Sequence, residues 1–150
     1  MTQVSIQGTA SRALAFTNEP LVTPNLANPV TLTTAAGVWA FGAWAQITAS
    51  LGANANGYYL VGVDLQPQSA AQFLVELGTG GAGAETGKLQ LPALQYTLAG
   101  FALPTMLPGL SIVIPATTRV AARAACSAGG SLAINLAIVT VALATPAVLV

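Results

Sequence analysis

The chain has 150 residues, a length typical of one domain and too short for two well-buried cores. Hydrophobic residues make up 54% of it and charged residues only 5%, against usual values of about 45–50% and about 25%. The net charge of zero excludes the basic surface that nucleic-acid binding normally requires. A surface with so little charge is either kept soluble by small neutral residues or covered by a partner, and we expect the second, as a homo-oligomer.

Residues 1–30 are interrupted too often for regular structure by prolines and asparagines, namely Asn18, Pro20, Pro24, Asn25, Asn28 and Pro29. We expect an extended N-terminal arm, which lies either on a neighbouring subunit or on its own domain. The stretch has no basic segment followed by an apolar one, so we expect no secretory signal and assembly in a cytoplasm.

From residue 31 to residue 150 the sequence predicts a single all-β domain. Short runs rich in β-forming residues alternate with Gly, Pro and Asn clusters, which is typical of a sandwich or a closed barrel. Eight strands are predicted, over residues 30–33, 38–50, 58–66, 72–77, 88–98, 110–114, 119–127 and 132–143.

Alternation along these strands predicts which side chains face the core. In the second strand the odd-numbered set Trp39, Phe41, Ala45, Ile47 and Leu51 shares one face, and Trp44 breaks the pattern, so we expect a bulge near Gly42. In the third strand the set predicted to face inward is Tyr59, Val61, Val63 and Leu65, and in the fourth it is Phe73, Val75 and Leu77. Asp64 and Glu76 are therefore expected on solvated outer faces.

The seventh strand alternates in the same way, with Val120, Ala122, Ala124 and Cys126 facing inward. Arg119 and Arg123 then share an exposed face, where they could pair with Asp64 or Glu76 across strands. The last strand is apolar on both faces, so both faces must be buried. We expect the core of the domain to bury one face and another subunit to bury the other.

The same C-terminal stretch, Leu132 to Val150, is uncharged and long enough to span a bilayer. Its polar residues and Pro146 argue against a transmembrane helix, and we expect no membrane association.

The sequence contains few of the residue types that commonly act in catalysis. There is no histidine, which removes the commonest general base and the usual catalytic triads. Asp64 and Glu76 are the one carboxylate pair close together on strands, and Lys88, the single lysine, has no marked serine partner. We therefore expect no enzyme activity and no catalytic residue.

Cofactor and metal sites are not expected either. Residues 78–83 match the glycine spacing G-x-G-x-x-G, but no helix and no later acidic residue follow, so we interpret the segment 78–87 as a loop between two strands. One cysteine and four scattered carboxylates fall short of any common metal-ligand set. Cys126, in an apolar stretch, is expected to be a buried structural thiol.

Two stretches resemble the small β-sandwich structural proteins of tailed-bacteriophage virions. They are Phe73-Leu-Val-Glu-Leu-Gly-Thr-Gly-Gly-Ala-Gly-Ala-Glu85 and Ile112-Val-Ile-Pro-Ala-Thr-Thr-Arg-Val-Ala-Ala-Arg123. Virion proteins of this type show the same order, in which a strand ends in a Gly/Ala loop with an acidic residue and a Pro-Ala-Thr turn precedes an Arg-containing strand. The resemblance covers residues 37–143.

The resemblance implies an antiparallel β-sandwich of jelly-roll type. It also implies a capsid decoration (cement) protein, which forms a trimer or hexamer, binds the major capsid protein or other virion proteins and is located in the virion. The alternative is a tail, fibre or baseplate component with a receptor- or carbohydrate-binding sandwich. For that alternative the available aromatic residues are Trp39, Trp44, Tyr58, Tyr59 and Tyr96.

Overall fold

The computed structural model describes residues 21–23, 29–94, 105–106 and 112–143. Ten strands occur in these ranges. They are β1 (Leu21–Thr23), β2 (Val30–Thr33), β3 (Ala45–Thr48), β4 (Tyr58–Pro67), β5 (Gln72–Thr79), β6 (Thr86–Leu94), β7 (Thr105–Met106), β8 (Val113–Ile114), β9 (Val120–Cys126) and β10 (Ala133–Ala142).

The strands form two antiparallel sheets that pack face to face as a β-sandwich. In the first sheet β10 and β4 are central, β1 and β2 share the edge beside β10, and β7 and β8 share the edge beside β4. The second sheet has the order β3-β9-β5-β6. Each sheet is therefore four positions wide, and the chain alternates between the sheets in the way that defines a jelly roll. The predicted fold class is confirmed.

Each of the eight predicted strands overlaps an observed one, and β2 has the predicted bounds. The short strands β1 and β7 were not predicted. β1 lies within the predicted arm and pairs with residues 138–140 of β10. Because residues 1–20 and 24–28 lie outside the described residues, the division into arm and domain stays a prediction.

The core lies between the two sheets and is built mainly from aliphatic side chains with one phenylalanine. Its largest fully buried members are Phe73, Leu32, Leu60, Ile134, Leu136, Ile138, Val63 and Val75. The inward faces predicted for β5 and β9 are both confirmed, since Phe73, Val75, Leu77 and alternate residues of β9 belong to this core. Fully burying each large side chain contributes about 1.5–3 kcal/mol to stability.

In β4 the predicted face is wrong for half of the strand. The register between β4 and β10 shifts so that Val139 pairs with Gly62 but Thr140 pairs with Leu60, leaving Val61 without an opposite residue. A β-bulge of this kind reverses the alternation. Val63 and Leu65 therefore face the core as predicted, whereas Leu60 replaces Tyr59 and Val61 on the inner side.

The second predicted strand is also shorter than expected, since only Ala45–Thr48 is a strand. Ile47 and Leu51 are in the core, but Trp39 is exposed and has a left-handed backbone with φ of 55°. We call residues 34–44 the aromatic loop. It follows the edge of β9 irregularly, through hydrogen bonds from the Trp39 N–H to the Cys126 oxygen (2.7 Å) and from the Gly42 N–H to the Ala124 oxygen (2.9 Å).

One face of β10 is fully buried in the core, where Ile134, Leu136 and Ile138 lie. On the other face Ala137 and Val141 are buried, but Ala133, Asn135 and Val139 are partly exposed. The cover of this face by a second subunit stays a prediction. No helix in the described parts of the chain combines the length and apolar character needed to cross a membrane.

Candidate functional site

The outer face of the second sheet carries an ion pair between β9 and β5. Arg123 and Glu76 are directly opposite each other in the register, and the Arg123 Nε donates a hydrogen bond of 2.6 Å to Glu76 Oε2. Gln90 of β6 donates to the other carboxylate oxygen, Oε1, at 3.0 Å. Of the cross-strand pairings left open between the two arginines and Asp64 or Glu76, the structure contains the one between Arg123 and Glu76, whereas Arg119 pairs with Glu85. The predicted exposure is wrong, because the Glu76 side chain is only 10% exposed.

The aromatic loop covers the ion pair between Arg123 and Glu76 on the outer side of the sheet. The Arg123 guanidinium carbon lies 4.6 Å from the centre of the Phe41 ring and 4.5 Å from that of Trp44, both within cation–π range. The Trp44 ring also packs on Gly78 of β5, where a Cβ atom would come within 2.7 Å of the ring edge. The arginine therefore fixes the loop against the sheet as well as neutralising Glu76.

Arg119, just before β9, holds three segments together. Its Nε donates to Gln46 Oε1 of β3 at 2.9 Å, and its NH1 donates to the Gly80 oxygen and to Glu85 Oε1 at 3.2 and 2.7 Å. Burial raises the pKa of the Glu85 carboxyl, but hydrogen bonds from the backbone N–H of Glu85, from Arg119 and from the backbone of Gly83 outweigh it and hold that pKa below its usual value. The loop of residues 80–85 between β5 and β6, which we call the Gly/Ala loop, is thereby anchored to β3 and β9.

This loop joins two strands, as predicted. β5 ends at Thr79 and β6 begins at Thr86, and the Ala84 N–H donates to the Gly81 oxygen within the turn. The segment that follows the glycines is a strand, so the helix N-terminus that would hold a dinucleotide pyrophosphate is not found in this described segment.

Asp64 lies on the outer face of the first sheet and is the second carboxylate that differs from its predicted setting. It is 3% exposed instead of solvated. Gln66 Nε2 donates to Asp64 Oδ2 at 2.7 Å, and Asp64 Oδ1 has no hydrogen-bond partner among the described residues. Because Asp64 and Glu76 lie on the outer faces of opposite sheets, the core separates them and they do not form a carboxylate pair.

Cys126 is fully buried, as predicted, and its Sγ is 2.8 Å from the Ala128 oxygen and 3.4 Å from Thr34 Oγ1. Within the described ranges, no three His, Cys, Asp or Glu side chains are grouped closely enough to hold a metal ion.

The aromatic residues considered for ligand binding separate into different environments. Tyr58 belongs to the core, Tyr59 and Trp44 are half-buried, and Tyr96 lies outside the described residues. Trp39 and the preceding Val38 are exposed by 47% and 60%, and with Val113 they are the exposed large apolar residues of the described chain.

Sequence reasoning missed that the aromatic loop leaves the strand and covers Arg123. The signal available was Gly42, whose Cβ would overlap the Thr33 backbone oxygen. Searches against protein families, curated proteins and solved structures found no match to this chain.

Proposed function

We propose that the chain is a non-enzymatic structural protein of a tailed-phage virion, of the capsid-decoration type, that self-associates and binds the major capsid protein. The jelly roll is compatible with this function because viral capsid domains use it, but lectins and cupins use it too. The proposal therefore depends on what the surface of the molecule offers a partner.

The observation that carries the proposal is the exposed pair Val38 and Trp39 on the aromatic loop. A tryptophan with φ of 55° is in a conformation that costs about 1–3 kcal/mol, and such strain persists only where the surrounding structure holds it. Here the hydrogen bond from the Trp39 N–H to Cys126 and the Arg123 contacts hold the loop. A rigidly presented tryptophan is a typical anchor of a protein interface.

The distribution of charge supports an interface of low polarity. Arg119 and Arg123 are both engaged in ion pairs within the chain. An interface at the aromatic loop must then use apolar contacts and neutral hydrogen bonds, as the centres of stable interfaces do.

The test is the mass of the purified 15.0 kDa chain in detergent-free buffer, measured by light scattering after size exclusion. We expect a discrete trimer or hexamer that Trp39→Ala converts to monomer and Trp39→Phe retains. Val113→Ala is the control, because Val113 is as exposed as Trp39 but lies outside the loop. A wild-type monomer at all concentrations, or equal dissociation by Trp39→Ala and Val113→Ala, would contradict the proposal.

A second function, carbohydrate binding by a tail or fibre component, is favoured by one other feature. A cleft of about 470 Å³ is lined by Phe41 and Trp44 together with Thr31 and Thr33, which combines ring faces with hydroxyl groups. Glycan-array binding that is lost in Trp44→Ala and kept in Trp39→Ala would support this function over assembly. Circular dichroism would show whether Trp44→Ala is still folded.

A further inference from the structure

A separate cavity of about 380 Å³ opens between the two sheets beside β6 and β8. Its buried walls are aliphatic: Leu60, Ile114 and Ile138 come from the first sheet, and Leu77 and Val120 come from the second. The volume lies within the range of small-molecule sites. Walls of this kind favour apolar guests, because a polar group placed against them would lose its hydrogen bonds to water.

The rim of the cavity differs from its walls. Thr79, Lys88, Val113 and Pro115 line it with exposed or half-exposed side chains. Lys88 is the one charged residue among the lining residues, and within the described chain it forms no ion pair. Its ammonium group is therefore available to an anion at the mouth.

We propose that this cavity binds an aliphatic monocarboxylate, with the alkyl tail between the sheets and the carboxylate at Lys88. The walls supply no described charged group that could satisfy a polar tail, so the tail must be apolar. One cation at the rim matches one anionic head group. The proposal concerns a different surface from the aromatic loop and does not depend on the proposed function.

The first experiment is calorimetric titration of the full chain with saturated fatty acids from hexanoate to palmitate, each below its critical micelle concentration. Burying one more CH₂ group should increase affinity about fourfold, until the tail fills the cavity and affinity stops rising. Absence of saturable binding at every chain length would overturn the proposal.

Reversing the charge tests the position of the head group. The wild type should bind decanoate more tightly than decylammonium, and Lys88→Glu should invert that order. Since an exposed ion pair is worth little, the expected preference is about two- to fivefold. An order that Lys88→Glu leaves unchanged would show that the carboxylate does not bind at Lys88.

Blocking the mouth tests the position of the tail. Val113 is exposed on the rim, so Val113→Trp should narrow the entrance without disturbing the core and reduce decanoate affinity at least tenfold. Ser131→Trp is the control, since Ser131 is exposed and does not line the cavity. An equal effect of both substitutions, with both variants folded by circular dichroism, would indicate adhesion to the surface and contradict the proposal.

Discussion

Arg123 connects the stability of the sheet to the position of the aromatic loop. Its guanidinium bonds to Glu76 at 2.6 Å and contacts two aromatic rings, so its loss affects both. Lysine cannot replace it fully, because an ammonium lacks the planar fork and the ring stacking of a guanidinium.

We expect Arg123→Ala to lower the free energy of unfolding by about 2–3 kcal/mol, because it leaves the buried Glu76 carboxylate without its cation and removes both ring contacts. Arg123→Lys should recover part of this loss. Urea denaturation, monitored by tryptophan fluorescence, measures the free energy of unfolding of each variant. The control is Lys88→Ala, an exposed change at a residue that forms no ion pair with the described residues, which should change the free energy of unfolding by no more than about 0.5 kcal/mol. A loss of that small size for Arg123→Ala would show that the Arg123 contacts do not stabilise the fold.

Glu85 gives the second residue-scale prediction, a dependence of stability on pH. Its pKa is lowered in the folded chain, so the folded state binds this proton less readily than the unfolded state. Its contribution is fully present above the usual carboxyl pKa and is lost as the pH falls through the lowered folded value. Denaturation midpoints should fall over this acidic range in the wild type and fall less in Glu85→Gln. Identical acid profiles for the two proteins would contradict the assignment.

At the scale of elements, irregular segments of backbone put some side chains in positions that regular strands would not give them. The bulge at Val61 brings Leu60 into the core, and the aromatic loop follows the edge of β9 irregularly until Ala45 pairs with Ala122, which places Trp44 on Gly78. The loop depends on a close approach of its main chain to β2 at Gly42.

Gly42 is the residue that the loop requires for this approach. A methyl group there would overlap the Thr33 carbonyl oxygen, so Gly42→Ala should cost about 1–3 kcal/mol and loosen the Trp44 contact with Arg123. Chemical denaturation and Trp44 fluorescence report the two effects. Gly81→Ala is the matched control, because a Cβ at Gly81 has no neighbouring atom within 4 Å; equal stability of the two variants would disprove the close approach.

At the scale of the whole molecule, charge is used mainly for internal contacts. Arg119 and Arg123 link the β9 region to the Gly/Ala loop and to β5 through Glu85 and Glu76, and the aromatic loop itself contains no charged residue. Apolar contacts are not screened by salt, whereas contacts between surface charges are.

The proposed oligomer should therefore keep its mass between ~0.01 M and ~1 M NaCl, a range over which the Debye length shortens about tenfold. Analytical ultracentrifugation at the two salt concentrations measures this directly. Dissociation at high salt would indicate an interface held by charges and would contradict the aromatic-loop anchor.

The sequence by itself determined the all-β class and the approximate positions of eight of the ten strands, because two-residue periodicity and turn residues are local signals that survive without tertiary information. It also determined the inward faces of β5 and β9, whose alternation is uninterrupted, but it left open whether Asp64 or Glu76 pairs with Arg123. Local periodicity does not show where a strand carries a bulge, so the sequence placed Tyr59 and Val61 of β4 inward and missed Leu60.

Only the tertiary structure decided what covers the outer faces. Asp64 and Glu76 follow the alternation expected of outward residues, yet both are buried, because burial depends on neighbours that are distant in the sequence. The same reason explains the exposure of Trp39. Its hydrophobicity favours the core, but the close approach of Gly42 to β2 and the bonds to β9 hold the loop where that side chain faces outward.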